Sequence, residues 1–223
     1  MIRGQLEVCG TISEPATLHP DKQGIMYIHF AIQVNVPTHD NSYKKCRIAV
    51  RKKHSTSSQL SRYRKGKCVY ACGMLNIYKG KDNLYLNLTA EKTALQPKGS
   101  ADQIAGELEF YGTVGKEPDI RDAKNGKKFF LFPGFSSEQR KEERMFTWVH
   151  FLYFSDKEEK FLHKGNGIHA KGKLEITYYK DRINLGCRVR EITPWGKKLQ
   201  KDTYSEKNDS IAETSHPNYP EKA

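Results

Sequence analysis

Apolar and polar positions alternate through most of this chain, and the alternation arrives in the same order twice. Leu6, Val8, Gly10 and Ile12 alternate with Glu7, Cys9 and Thr11. Leu108, Phe110, Gly112 and Val114 do the same a hundred residues later. Period two is the mark of a strand with one buried face. A glycine inside each of these strands predicts a bend or bulge, as a barrel corner needs. The turn-rich stretches PDKQGI and DAKNGKK each precede a second strand. YKKCRIAV and RMFTWVHFLYF read as a third. A polar stretch long enough for one short helix follows in each half, SSQLSRYRKG and SDKEEKFLHKG. Two further strands close each half through tight hairpins at KGKDN and YKDR.

The order is repeated because the sequence is repeated. GQLEVCGTI (Gly4 to Ile12) lies over GELEFYGTV (Gly106 to Val114), and QGIMYIHF lies over NGKKFFLF at the same offset of 102. The offset then falls to 99, where RKGKCVYACGMLNIY lies over HKGNGIHAKGKLEIT and KDNLYLNLTAEKTAL over KDRINLGCRVREITP. A period near 100 is a duplicated domain and lies far above solenoid periods. QPKGSADQIA between the copies is rich in Pro, Gly and small polar residues and reads as a linker. The expected organisation is a first domain at 1–95, a linker at 96–105, a second domain at 106–195 and a flexible C-terminal tail at 196–223.

Five strands with a helix before the fourth is the order of the OB-fold, the small five-stranded barrel, although the pattern alone also allows other small barrels or sandwiches. The expected fold is therefore all-β: two tandem five-stranded OB-fold barrels, each with one short helix.

Charge narrows the function. The chain carries a net +12. Residues 1–100 hold 16 Lys/Arg against 6 Asp/Glu, residues 101–195 hold 17 against 15, and the last 28 hold 5 against 5. A basic excess favours polyanions, with nucleic acid first. No apolar run approaches the ~18 residues of a membrane span, and the opening MIRGQLEV has no signal-peptide core. Five cysteines without close pairs argue for a reducing compartment rather than a disulfide framework. Cys68 and Cys72 stand ~13 Å apart if KCVYACG is a strand, too far to share a zinc ion. There is no phosphate-binding loop, nucleophile elbow, metal-spaced Cys/His set or carboxylate cluster, so no enzyme, metal or cofactor is expected.

The second copy resembles the bacterial single-stranded DNA-binding protein family. Trp148 is followed six residues on by Phe154, then by Phe161-Leu162-His163-Lys164-Gly165, then by Gly172, Leu174 and Tyr179. The opening G-x-L-x-x-x-G-x-V with a later Pro118 fits as well. The resemblance implies an OB-fold, single-stranded DNA as partner, and stacking by Trp148, Phe154 and Tyr179, with Tyr178 beside them. It implies a role in replication, recombination or repair, in the cytoplasm at the nucleoid. Two barrels per chain resemble the tandem form of that family, which implies a homodimer with four OB folds. The family's acidic C-terminal tip is missing from HPNYPEKA, so partner recruitment by that route is not expected.

The residues add a contrast. Trp148, His150, Leu152 and Phe154 share one face of their strand, and Val149, Phe151 and Tyr153 share the other, assigned to the core. Both faces are apolar, so the strand alone leaves open which one is buried. In the first copy either offset sets Cys46 or Ala49 against Trp148, and Lys52 or Ser55 against Phe154. Lys45, Arg47, Arg51 and Lys53 instead line one strand face, with Lys79 and Lys81 in the hairpin and Tyr78 nearby. Such a run is a solvated face or a row of phosphate contacts. The expectation is a division of labour, with phosphates on the first barrel and bases on the second. A protein-binding OB module and RNA binding are the other readings.

Overall fold

The computed structural model describes residues 1–53, 57–80, 83–123, 128–140, 143–155, 157 and 159–196. Lys81, the loop at 124–127 and the tail beyond Gly196, all named above, lie outside the described residues.

The fold is all-β, with strands β1 (Ile2–Pro20), β2 (Met26–Pro37), β3 (Tyr43–Lys53), β4 (Cys68–Lys79), β5 (Leu84–Gln96), β6 (Gln103–Val114), β7 (Asp119–Asp122), β8 (Lys128–Arg140), β9 (Glu143–Phe154), β10 (Gly167–Tyr179) and β11 (Arg182–Pro194). Pairing closes two rings. In the first, β1 pairs β2, β2 pairs β3, β3 pairs β5, β5 pairs β4 and β4 returns to β1. In the second, β6, β8, β9, β11 and β10 close in the same order. In each ring only the third-to-fifth contact is parallel. That is the connectivity expected of the OB barrel.

The details differ from expectation in three places. The first copy carries a 3-10 helix at Ser57–Arg62, whereas the described residues between β9 and β10 form turns and no helix. The 19-residue β1 corresponds to two strands in the second copy, β6 and β7. Thr17 faces His29 in one copy, and Asp119, 102 residues on, faces Leu131 in the other. Gly115 and Pro118 fall in the interruption, and proline brings no N–H to a ladder. β6 also begins at Gln103, inside the stretch expected to be linker.

Each barrel fills itself with inward side chains. Leu6, Val8, Ile12, Ile32, Ile48 and Leu88 are buried in the first, and Phe110, Val149, Phe151, Ile168 and Leu185 in the second. Phe151 stacks on Phe132 at 5.1 Å and meets Phe110 edge-on at 4.9 Å. Burial of each such side chain is worth about 1.5–3 kcal/mol. The strand-one glycines are required by contact: a Cβ on Gly10 would stand 2.4 Å from the Gln33 carbonyl oxygen, and one on Gly112 would stand 2.3 Å from that of Phe135. All five cysteines are free thiols, with the buried sulfurs of Cys9 and Cys68 3.8 Å apart.

The rings join edge to edge. β1 pairs antiparallel with β6, with Gly4 opposite Leu108, Gln5 opposite Glu107 and Leu6 opposite Gly106. Gly106, Glu107 and Leu108 are themselves the second-copy equivalents of Gly4, Gln5 and Leu6. The contact is therefore self-complementary under the duplication, as in an isologous dimer, and its pseudo-two-fold passes between Gln5 and Glu107.

Candidate nucleic-acid interface

Registers fix which residues correspond. Gln33 faces Arg47 on β2–β3, and Phe135 faces Trp148 on β8–β9. Gln33 and Phe135 are 102 apart, so Arg47 is the counterpart of Trp148. The offset on the third strand is 101, a value neither sequence alignment used. The three-residue deletion is thus split, one residue in the turn before this strand and two after it. This corrects the expected pairing with Cys46 or Ala49. Lys45, Arg47, Ala49, Arg51 and Lys53 occupy the places of Phe146, Trp148, His150, Leu152 and Phe154.

The outward face of β9 is aromatic. Val149 and Phe151 point into the core, which settles the face left open by alternation. Trp148 is 47% exposed and Phe154 38%. Trp148 rests against Phe135, with centroids 5.1 Å apart, and against the backbone of Gly115, where a Cβ would stand 2.4 Å from the indole. Phe146, exposed as well, meets Phe135 edge-on at 5.6 Å. At the other end of the strand Phe154 lies 5.6 Å from Phe129, and the Arg188 guanidinium stands 5.2 Å from the Phe154 centroid. Phe146, Phe135, Phe129 and Arg188 were missed in the sequence. Alternation on β9 would have found Phe146, two residues before Trp148 on the same face.

The outward face of β3 is cationic. Lys45, Arg47, Arg51 and Lys53 are all exposed along one face, as expected. Arg47 and Arg51 line a groove of about 650 Å³, together with residues that include Glu14, His29, Asn87 and Thr89. Two of these cations are already engaged. Arg47 donates to both oxygens of Glu14, at 2.7 and 2.9 Å, and this pairing holds the Glu14 carboxyl below its ordinary range. Arg51 donates to Thr89 Oγ1 at 3.0 Å and stands 5.3 Å from the Tyr27 ring centroid. Burial, then His19 and Arg51, hold the His29 imidazole below its ordinary value.

The hairpin residues divide. Tyr78 is exposed and tilted against Tyr85 at 6.0 Å, and Lys79 is half-buried beside it. Tyr179 is exposed, with Lys180 Nζ 5.4 Å from its ring centroid. Tyr178 is half-buried against the first barrel, its hydroxyl donating to the Lys45 carbonyl at 3.5 Å, and burial followed by Cys46 pushes its phenol up to about 12. A base could reach Tyr179 but would have to displace a neighbour to stack on Tyr178. Among the described residues, no group of three or more His, Cys, Asp or Glu is placed to hold a metal ion.

No family model matches the chain, and no curated protein matches it. Solved structures do. The single-stranded DNA-binding protein of Thermus aquaticus is similar at 12% identity and a TM-score of 0.44, covering 88% of this chain and 94% of that one. The SSB of Plasmodium falciparum, solved in complex with ssDNA, is similar over 40% of this chain and 94% of its own, at 17% identity and a TM-score of 0.34. The priB protein of Ralstonia solanacearum is similar over 42% of this chain and 98% of its own, at 14% identity and a TM-score of 0.32.

Proposed function

We propose that the protein binds single-stranded DNA without sequence preference, stacking bases on the second barrel and holding phosphates on the first. The observation that carries this reading is the substitution along one outward strand face, Phe146, Trp148 and Phe154 on β9 for Lys45, Arg47 and Lys53 on β3. Aromatic faces accept any base, and cations accept any phosphate. The two devices used for a single strand are thus present on corresponding surfaces and separated between the copies. The reading carries the wider expectations with it: a homodimer presenting four barrels, action in replication, recombination or repair, and a place at the nucleoid.

Titration with oligo-dT at two salt concentrations, followed by tryptophan fluorescence with duplex DNA as control, tests it. Trp148 and Trp195 are the only tryptophans in the chain, so Trp148→Phe isolates the signal. The expected result is single-strand binding with quenching that disappears in the variant. Binding without quenching would move the bases off β9. Absence of any single-strand preference would overturn the reading and leave a protein-binding module. Equal binding of oligo-rU would widen the substrate to RNA.

A further inference from the structure

The tip of the β10–β11 hairpin reaches across to the first barrel. The His39 N–H donates to the Tyr178 carbonyl at 3.3 Å, and Lys44 forms an ion pair with Asp181. His39 meets the Tyr179 ring edge-on at 5.7 Å. The contact leaves a groove of about 500 Å³ whose lining includes His39, Tyr43, Lys44, Tyr179, Lys180 and Asp181. Its acids are occupied: Asp181 holds Lys44, and Asp40 accepts from Thr38 and from the hydroxyl and backbone N–H of Ser42, the Thr38 and Ser42 hydroxyls holding its carboxyl down to about 2.

Two geometrical facts connect this groove to the surfaces on either side. Tyr43 is 74% exposed and alternates in phase with Lys45, Arg47, Arg51 and Lys53, so it begins the cationic face of β3. β9 and β11 run parallel, so Phe146 and Trp148 lie toward the same end of the second barrel as Arg182, the partner of Tyr179. The aromatic face and the cationic face therefore approach each other at the hairpin tip, where Tyr43, Tyr179, Lys180 and Arg182 combine both chemistries.

We propose that this junction is a third nucleic-acid subsite, at which one continuous strand crosses from the second barrel to the first. Tyr43 and Tyr179 stack bases there, and Lys180 holds a phosphate. The inference rests on the single-strand reading above.

The test compares Trp148 quenching by two oligonucleotides, an oligo-dT of about 6 nucleotides, within one barrel's span, and one of about 25. The variant is Tyr43→Ser with Lys180→Asn. Tyr43 is exposed, and asparagine tolerates the positive φ of 45° at position 180, so the fold is kept, and a cooperative thermal melt no lower than that of wild type verifies it. Wild-type protein is expected to bind the longer strand at least ~10-fold more tightly, and the variant to bind the shorter one like wild type while losing most of that gain. A gain retained in the variant, or none in the wild type, overturns the junction subsite alone. Failure of the wild type to bind either strand with quenching overturns the proposed function and this subsite with it.

Discussion

At the scale of single residues, the two faces make opposite predictions about salt. Trp148→Ala is expected to weaken oligo-dT binding by about 1–3 kcal/mol, and to leave the slope of log affinity against log salt unchanged. Arg51→Glu is expected to lessen that slope by roughly 0.7, the value for one phosphate contact on a single strand. Glu14 gives a third. It neutralises Arg47 in the groove, so Glu14→Gln is expected to steepen the slope by a similar ~0.7 and raise low-salt affinity. The same pair has a pH signature. The Glu14 carboxyl is held down by Arg47, so its contribution to stability is complete above the ordinary carboxylate range and is lost as pH falls through the lowered value. Acid should therefore mimic Glu14→Gln, and a binding titration carried down through that range checks it. Trp148 and Phe154 were legible in the sequence because they repeat a known spacing. Phe135 was not, because a phenylalanine on a half-apolar strand gives no sign of which face it takes until the register is known.

At the scale of elements, the strands were readable from alternation and the order of the barrel from the order of the strands. What sequence could not place was the three-residue deletion. Turn residues on both sides of the third strand accept a gap equally, and a one-residue error moves every side chain to the opposite face. Two backbone devices recur in both copies and can be tested. A bulge leaves Glu91 unpaired on β5 and Arg190 unpaired on β11, at the same offset of 99. The strand-one glycine is the other. Gly112→Ala is expected to destabilise the protein by about 3 kcal/mol, read by denaturant unfolding, because backbone cannot yield to the new methyl group as a side chain would. The hairpin turn Lys180-Asp181 has positive φ at both residues, 45° and 63°. Asparagine suits such a turn better than lysine, so Lys180→Asn alone should raise the melting temperature by a few degrees.

At the scale of the whole molecule, the chain is arranged like a dimer held in one polypeptide. The β1–β6 contact uses the same residues from both sides, so the first copy produced alone, residues 1–101, has an edge that matches itself. It is expected to dimerise through β1, placing Gln5 opposite Gln5. The second copy alone would place Glu107 opposite Glu107, two carboxylates side by side, and should pair with itself more weakly. Mixing the two fragments should give the mixed pair, as sedimentation would show. A true two-fold dimer presents one face to a strand running in either direction and so cannot tell its 5′ end from its 3′ end. Here the axis survives in the backbone and is broken on the surface, with indole and phenyl rings at one end and guanidinium and ammonium groups at the other. A strand laid across both barrels meets different chemistry at its two ends, and the complex acquires a direction.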